Sequence, residues 1–273
     1  MMIRSLSATS LQDFLDCRRR FQLKYIDQIS WPQPLNTVDI KQMESMTRGR
    51  EFHQLMQQHF LGIPDEKLLK SIDDNTLKTW FINTIESEIC KIDQAEKLTE
   101  YRLSTYISDK LVTGVIDLLI IQPDSSLKII DWKTGLTKPK PQFYVSRIQT
   151  RLYPLLLAQS PLFHARITNK QCFDKIEFIY WFTHFPQLPI INQYSPEKFD
   201  LDRVYLAELI NTIQNTQVDQ MKMTANLNTC RTCQFQVYCG RSSSESDQDV
   251  FDMDEIDYEL SQFNEPFTTG ESY

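Results

Sequence analysis

The chain has 273 residues, 41% of them hydrophobic and 24% charged, which is enough to bury a core in one large domain and ordinary for a soluble globular protein. It has only six glycines and neither a G-x-G-x-x-G nor a G-x-x-x-x-G-K-[ST] string, which disfavours a dinucleotide-binding or P-loop architecture; without a P-loop no motor is expected in this chain. The net charge of −7 divides unevenly: residues 242–273 hold ten Asp/Glu and no Lys/Arg, so that segment carries −10 and residues 1–241 carry +3.

No apolar run reaches the length of a membrane span, and the first residues lack the basic-then-apolar pattern of a secretory signal. A cytoplasmic location without membrane contact is expected. There, six cysteines point to metal ligands or free thiols rather than disulfides.

In chain order, residues 7–26 read as a helix capped by Ser7 or Ser10, with Leu11, Phe14, Phe21 and Tyr25 at helical spacing. Residues 27–40, with two prolines, read as a loop. A helix follows from about Asp39 to Phe60, interrupted or bent near Gly49. Residues 66–98 read as mostly helical, with Leu68, Leu69, Ile72, Leu77, Trp80, Phe81 and Ile85 on the apolar face. From Glu100 the period becomes strand-like. Tyr101–Ile107, Leu111–Ile121 and Leu127–Trp132 form three antiparallel strands, the second turn lying at 122–126. Ser146–Gln159 is a helix bent by Pro154, Lys175–Thr183 a strand and Leu201–Asn215 an amphipathic helix. Residues 242–273 read as a disordered acidic tail with scattered apolar residues.

Three strings carry chemistry: Gly114-Val-Ile-Asp117, Asp131-Trp-Lys133-Thr-Gly135 and Gln149-Thr-Arg-Leu-Tyr153. A turn around Asp124 brings Asp117 opposite Asp131, so both carboxylates can share a face, and Lys133 lies two residues beyond Asp131 on that face. Clustered carboxylates bind Mg²⁺ or Mn²⁺, which polarises a phosphate and acidifies bound water, while a lysine positions that water or stabilises charge. Gln149 and Tyr153 share a helix face at i, i+4. Taken singly, each acid is an ordinary strand-end residue and Lys133 a rim charge; the combination followed by Thr134-Gly135 favours the chemical reading.

These strings resemble the PD-(D/E)XK nuclease superfamily, in its RecB-like branch with an iron–sulfur cluster, which includes the AddB nuclease domain and CRISPR-adaptation exonucleases. "G-x-x-D" matches Gly114–Asp117, "D-x-K-T-G" matches Asp131–Gly135, "Q-x-x-x-Y" matches Gln149 and Tyr153, and an upstream "G-x-x-x-H" matches Gly49–His53. The resemblance implies that His53, Asp117 and Asp131 ligate a divalent metal together with the backbone carbonyl of Trp132. Lys133 would assist the attacking water. Gln149 and Tyr153 would hold the DNA backbone or order the groups behind the metal. His59 reads as an ordinary histidine, and Glu100, where relatives often carry an acid, as a solvated strand-end residue.

Cys230-Arg-Thr-Cys233 with Cys239 gives C-x₂-C-x₅-C, and Cys17 lies far upstream. Three close cysteines need a fourth ligand; a Cys₄ zinc site is the alternative to an iron–sulfur centre. The resemblance implies a [4Fe–4S] cluster held by Cys17, Cys230, Cys233 and Cys239, stapling the two ends of the core. Cys90 and Cys172 lack a partner pattern and read as buried apolar residues.

The fold expected is thus α/β: a restriction-endonuclease-like core with a central mixed β-sheet flanked by helices and a helical N-terminal elaboration. One nuclease domain would span 1–241, followed by the tail. The expected function is metal-dependent DNA exonuclease action on single-stranded or frayed ends, in repair, recombination or foreign-DNA processing. The competing readings are a non-catalytic DNA-binding module braced by the cluster and, more weakly, a redox sensor. Arg18–Arg20 with Lys24, Arg48 with Arg50, and Lys138 with Lys140 are candidate phosphate contacts, beside Phe21, Tyr25, Phe143 and Tyr144 as stacking aromatics. The tail is a solubilising end, a dock for a protein partner, or a DNA mimic in the basic groove.

Overall fold

The computed structural model describes residues 3–30, 37–92, 94–166, 172–231 and 233–241. The expectations for the acidic tail, and for the loop at 31–36, fall outside them. The elements are β1 (Ser5–Leu6), α1 (Ala8–Asp16), α2 (Arg18–Phe21), a π-helical turn (Gln22–Ile26), α3 (Thr37–Phe60), α4 (Asp65–Lys70), α5 (Asn75–Ile85), β2 (Glu96–Ile107), β3 (Lys110–Ile121), β4 (Leu127–Lys133), α6 (Pro141–Ser146), α7 (Ile148–Ala158), α8 (Pro161–Arg166), β5 (Ile176–Phe182), β6 (Ile190–Gln193), α9 (Pro196–Asn215) and α10 (Asn228–Arg231).

The six strands form one mixed sheet. β3 pairs antiparallel with β2 along its length and with β4 at Leu118–Ile121, and parallel with β1 at Leu111 and Val112. β4 pairs parallel with β5, and β5 antiparallel with β6. Since β2 occupies one edge of β3, β1 and β4 share the other, and the stretch from Thr113 to Asp117 falls between their pairings.

Helices cover both faces. Leu11, Phe14, Leu152, Leu156, Leu206 and Ile210 of α1, α7 and α9 pack on one face in a first core. Phe52, Met56, Leu77, Trp80 and Phe81 of α3 and α5 pack on the other in a second. Strand alternation feeds the two cores: Leu127 and Ile129 of β4 enter the first, Ile130 and Trp132 the second. This is a three-layer α/β arrangement, as anticipated.

At one rung the alternation slips. Leu98 and Tyr101 of β2 both contact the first core although they are three residues apart, and so do Ile116 and Leu119 of β3. The slip lies at Glu100 and Asp117, which would face each other in the continuous register, and Glu100 has φ of +47°.

Several expectations need correction. The first helix is not continuous over 7–26. Ser7 caps α1 through a reciprocal Ser7/Ser10 capping box, but Cys17 is extended (φ −160°, ψ 107°), and the short α2 and then the wider π-helical turn follow. Helix α3 runs unbroken through Gly49, where helical hydrogen bonding outweighs one glycine's cost. The stretch 66–98 is two short helices, α4 and α5, and β2 starts at Glu96, because pairing with β3 extends the strand past where the sequence alternates. Cys90 is buried, as expected.

Candidate active site

The β3–β4 register ends at Leu118↔Ile130, and one further step would set Asp117 opposite Asp131. Yet the slip at Asp117 turns its carboxylate toward α3, so the two acids have different partners. Asp117 Oδ1 lies 3.3 Å from His53 Nδ1, and Asp117 Oδ2 accepts from the Trp132 backbone N–H at 2.8 Å. Asp131 keeps the alternation of Leu127 and Ile129, and its Oδ2 sits 2.7 Å from Lys133 Nζ.

His53 is held by the ring stack of its neighbour: Phe52 packs edge-on against Trp80 and Trp132, seating α3 on the sheet. Burial lowers the His53 pKa, but the facing carboxylates of Asp117, Asp131 and Glu100 outweigh it and push the imidazole up to about 9. Glu100 is raised to about 7 by burial first and then by Asp117, against the pull of His53 and Arg102.

His53, Glu100 and Asp117 form the compact three-ligand group among the described residues, each offering an atom within 4.8 Å of the others. An imidazole and two carboxylates suit Mn²⁺ or Mg²⁺. The donor set therefore fits a hard divalent ion. Glu100, read from sequence as a solvated strand end, is instead half-buried in this group.

Lys133 is fixed from three sides. Besides Asp131, its Nζ donates to Gln149 Oε1 of α7 at 3.3 Å and lies 5.5 Å from the ring centre of Tyr180. Tyr180 pairs with Asp131 in the β4–β5 ladder, and its hydroxyl meets Thr150 Oγ1 at 2.8 Å. Nothing in the sequence singled out Tyr180; its only signal was a hydroxyl inside an apolar strand.

Tyr153 is buried, packing edge-on to Phe178 and under Gly114. That placement suits ordering the site from behind, not touching a DNA backbone.

Cys17, Cys230, Cys233 and Cys239 line one cavity with Arg20 and Arg241, and Arg241 Nη1 donates to Cys230 Sγ at 3.4 Å. Burial raises the Cys233 and Cys239 thiols, as do their sulfur neighbours, against nearby arginines. The extended backbone at Cys17 breaks the helix at the residue that joins this cavity.

The basic clusters resolve differently. Arg20 and Lys24 pair with Asp13 at 2.8 and 2.9 Å, and Arg48 with Asp74 at 2.7 Å. Phe21 and Tyr144 are core residues rather than stacking surfaces. Lys138 and Lys140 are exposed on the segment that follows Lys133.

A sequence profile of the PD-(D/E)XK nuclease superfamily matches residues 5–240, and the chain belongs to that family. Two solved structures are similar to it. A candidate exonuclease from Eubacterium rectale is 10% identical over 89% of this chain and 90% of its own, with a TM-score of 0.50. The protein SSO0001 is 13% identical over 89% of each chain, with a TM-score of 0.41. No curated protein sequence matches the chain. Among the described residues, no helix is long and apolar enough to cross a membrane.

Proposed function

We propose that residues 1–241 form a divalent-metal-dependent DNA nuclease of the RecB-like branch, an exonuclease acting on single-stranded or frayed ends in repair, recombination or foreign-DNA processing. The observation that carries this reading is Lys133, clamped between Asp131 and Gln149 beside the His53–Glu100–Asp117 group. His53, Asp117 and Asp131, with the Trp132 carbonyl, would hold the metal. When bound, such an ion polarises the scissile phosphate and lowers the pKa of its water.

The protein's own groups supply orientation. Asp117 Oδ2 fixes the Trp132 amide, and with it the peptide at the end of β4. Asp131 and Gln149 hold the Lys133 ammonium in one place, where it orders the attacking water and offsets charge developing on the phosphate. Tyr180 and Tyr153 close the site from below, keeping α7 and the sheet in register.

Cys17, Cys230, Cys233 and Cys239 would bind a [4Fe–4S] cluster, with Arg20 and Arg241 offsetting its negative charge. The C-x₂-C-x₅-C string with a distant fourth cysteine, which resembles the family's cluster site, favours iron–sulfur over a Cys₄ zinc site.

The test is anoxic purification and assay for iron and sulfide, then incubation with end-labelled single-stranded, linear duplex and circular DNA in Mn²⁺, Mg²⁺ or EDTA. Metal-dependent shortening of linear DNA, with circles spared, supports the proposal, and the label pattern gives the polarity. Binding without cleavage by iron-loaded protein would instead support a DNA-binding module. Zinc in place of iron would refute the cluster.

A further inference from the structure

Helix α7 begins without a side-chain cap of its own. Arg147 stands at its N-cap position with extended backbone and makes no capping hydrogen bond from its side chain. An acceptor comes instead from α1: the Ile148 backbone N–H donates to Gln12 Oε1 at 3.1 Å. The first amides of an α-helix have no partner inside the helix, so a fixed acceptor there sets where the first turn lies. Gln149 is the next residue of that turn, and its Oε1 accepts from Lys133 Nζ at 3.3 Å.

Gln12 can serve as a fixed acceptor because its other end is held. Its Nε2 donates to Asp16 Oδ1 at 2.8 Å, one helical turn along α1, which leaves the amide oxygen for Ile148. Asp16 is anchored in turn, its Oδ2 lying 2.9 Å from Arg20 Nη2 and 3.8 Å from Arg147 Nη1. Arg20 lines the four-cysteine cavity, so one chain of polar contacts runs from that cavity along α1 to the start of α7.

We infer that Gln12 is a positioning residue for hydrolysis: by holding the Ile148 amide it fixes the first turn of α7, and through Gln149 the place of the Lys133 ammonium. The inference rests on the reading of Lys133 as the group that orders the attacking water, and adds a residue that acts through two others. Reaction rate falls steeply with misplacement of a reacting or orienting group, so a shifted turn shows in the rate of cleavage more than in binding.

The test is cleavage of end-labelled single-stranded DNA by the full chain in Mn²⁺, with kcat and KM read separately. Gln12→Met keeps the side-chain length and suits the helix but lacks the amide oxygen, whereas Gln12→Glu keeps an oxygen to accept from Ile148. Ser195→Ala removes the N-cap of α9 and controls for a capping loss away from the site. Gln12→Met should lower kcat about tenfold with KM and Mn²⁺ affinity unchanged, Gln12→Glu should restore kcat to within about threefold of wild type, and Ser195→Ala should leave it unaltered. In a Gln149→Ala background, Gln12→Met should cost nothing further. Wild-type kcat in Gln12→Met, an equal loss in Gln12→Glu, or full additivity with Gln149→Ala would overturn the inference and leave the nuclease reading standing. Lys133→Ala is run alongside: its cleavage at the wild-type rate, or no cleavage by the wild type itself, would overturn both.

Discussion

Gly114 and Tyr153 pack so closely that a Cβ on Gly114 would lie 3.0 Å from Tyr153 Cε1 and 2.9 Å from Leu156 Cδ1. Strand β3 thus approaches α7 at a point three residues before Asp117 and one helical turn after Gln149. Gly114→Ala should push α7 off the sheet, costing about 1–3 kcal/mol of stability and loosening the Lys133–Gln149 contact. Thermal or urea unfolding checks the first effect, and activity measured well below Tm checks the second. Unchanged stability would mean that α7 repacks freely.

Asp13 gathers Arg20, Lys24 and the Tyr25 hydroxyl within 2.9 Å, tying α1 to α2 and the π-helical turn. Its loss removes the acid that Lys24 pairs with and leaves Arg20, also largely buried, with Asp16 at 2.9 Å. Asp13→Ala should cost about 3 kcal/mol, read by urea unfolding. A cost under about 1 kcal/mol would show that solvent already screens the group.

The same pairing separates structural from DNA-facing cations. Lys24 is engaged by Asp13, whereas Lys138 and Lys140 are exposed. Each of Lys138→Ala and Lys140→Ala should lower the slope of log affinity against log salt for single-stranded DNA by about 1, with Lys24→Ala leaving it unchanged. Fluorescence anisotropy across a salt series decides this. A slope altered only by Lys24→Ala would reverse the assignment.

Asp74 caps α5, accepting from the Thr76 and Leu77 amides at 2.7 and 3.0 Å, and pairs with Arg48 of α3. Burial works against its ionisation, but the hydrogen bonds from Arg48 and the cap amides hold its pKa below 3.8. A folded-state pKa below the unfolded one stabilises above the unfolded value, and this contribution fades as pH falls toward the folded value. Asp74→Ala should therefore cost about 1 kcal/mol near neutrality and progressively less below pH of about 4. An Asp74→Ala deficit that stays constant into acid would contradict the sign.

The β3–β4 hairpin was legible because its turn residues and its apolar alternation agree, and so was the i, i+4 pair on α7. The capping serines of α1 announced its start. Other features left no trace in local pattern. β1 is two residues long and pairs in parallel with a strand more than a hundred residues away, beyond any periodic signal. The left-handed backbone at Glu100 is imposed by the sheet and carries no glycine to mark it. Tyr180 looks like any apolar strand residue until its neighbours in the ladder are known. Charge runs misled for a related reason: Arg20, Lys24 and Arg48 find their acids through tertiary packing.

Lys133 is proposed to act in hydrolysis rather than in holding the metal or the fold. Lys133→Ala should retain wild-type Tm within a few degrees and bind Mn²⁺ no more weakly. Its single-turnover cleavage of end-labelled single-stranded DNA should fall about 10²–10⁴-fold. Cleavage within a few-fold of wild type, at matched Mn²⁺ occupancy, would contradict a hydrolytic role for Lys133.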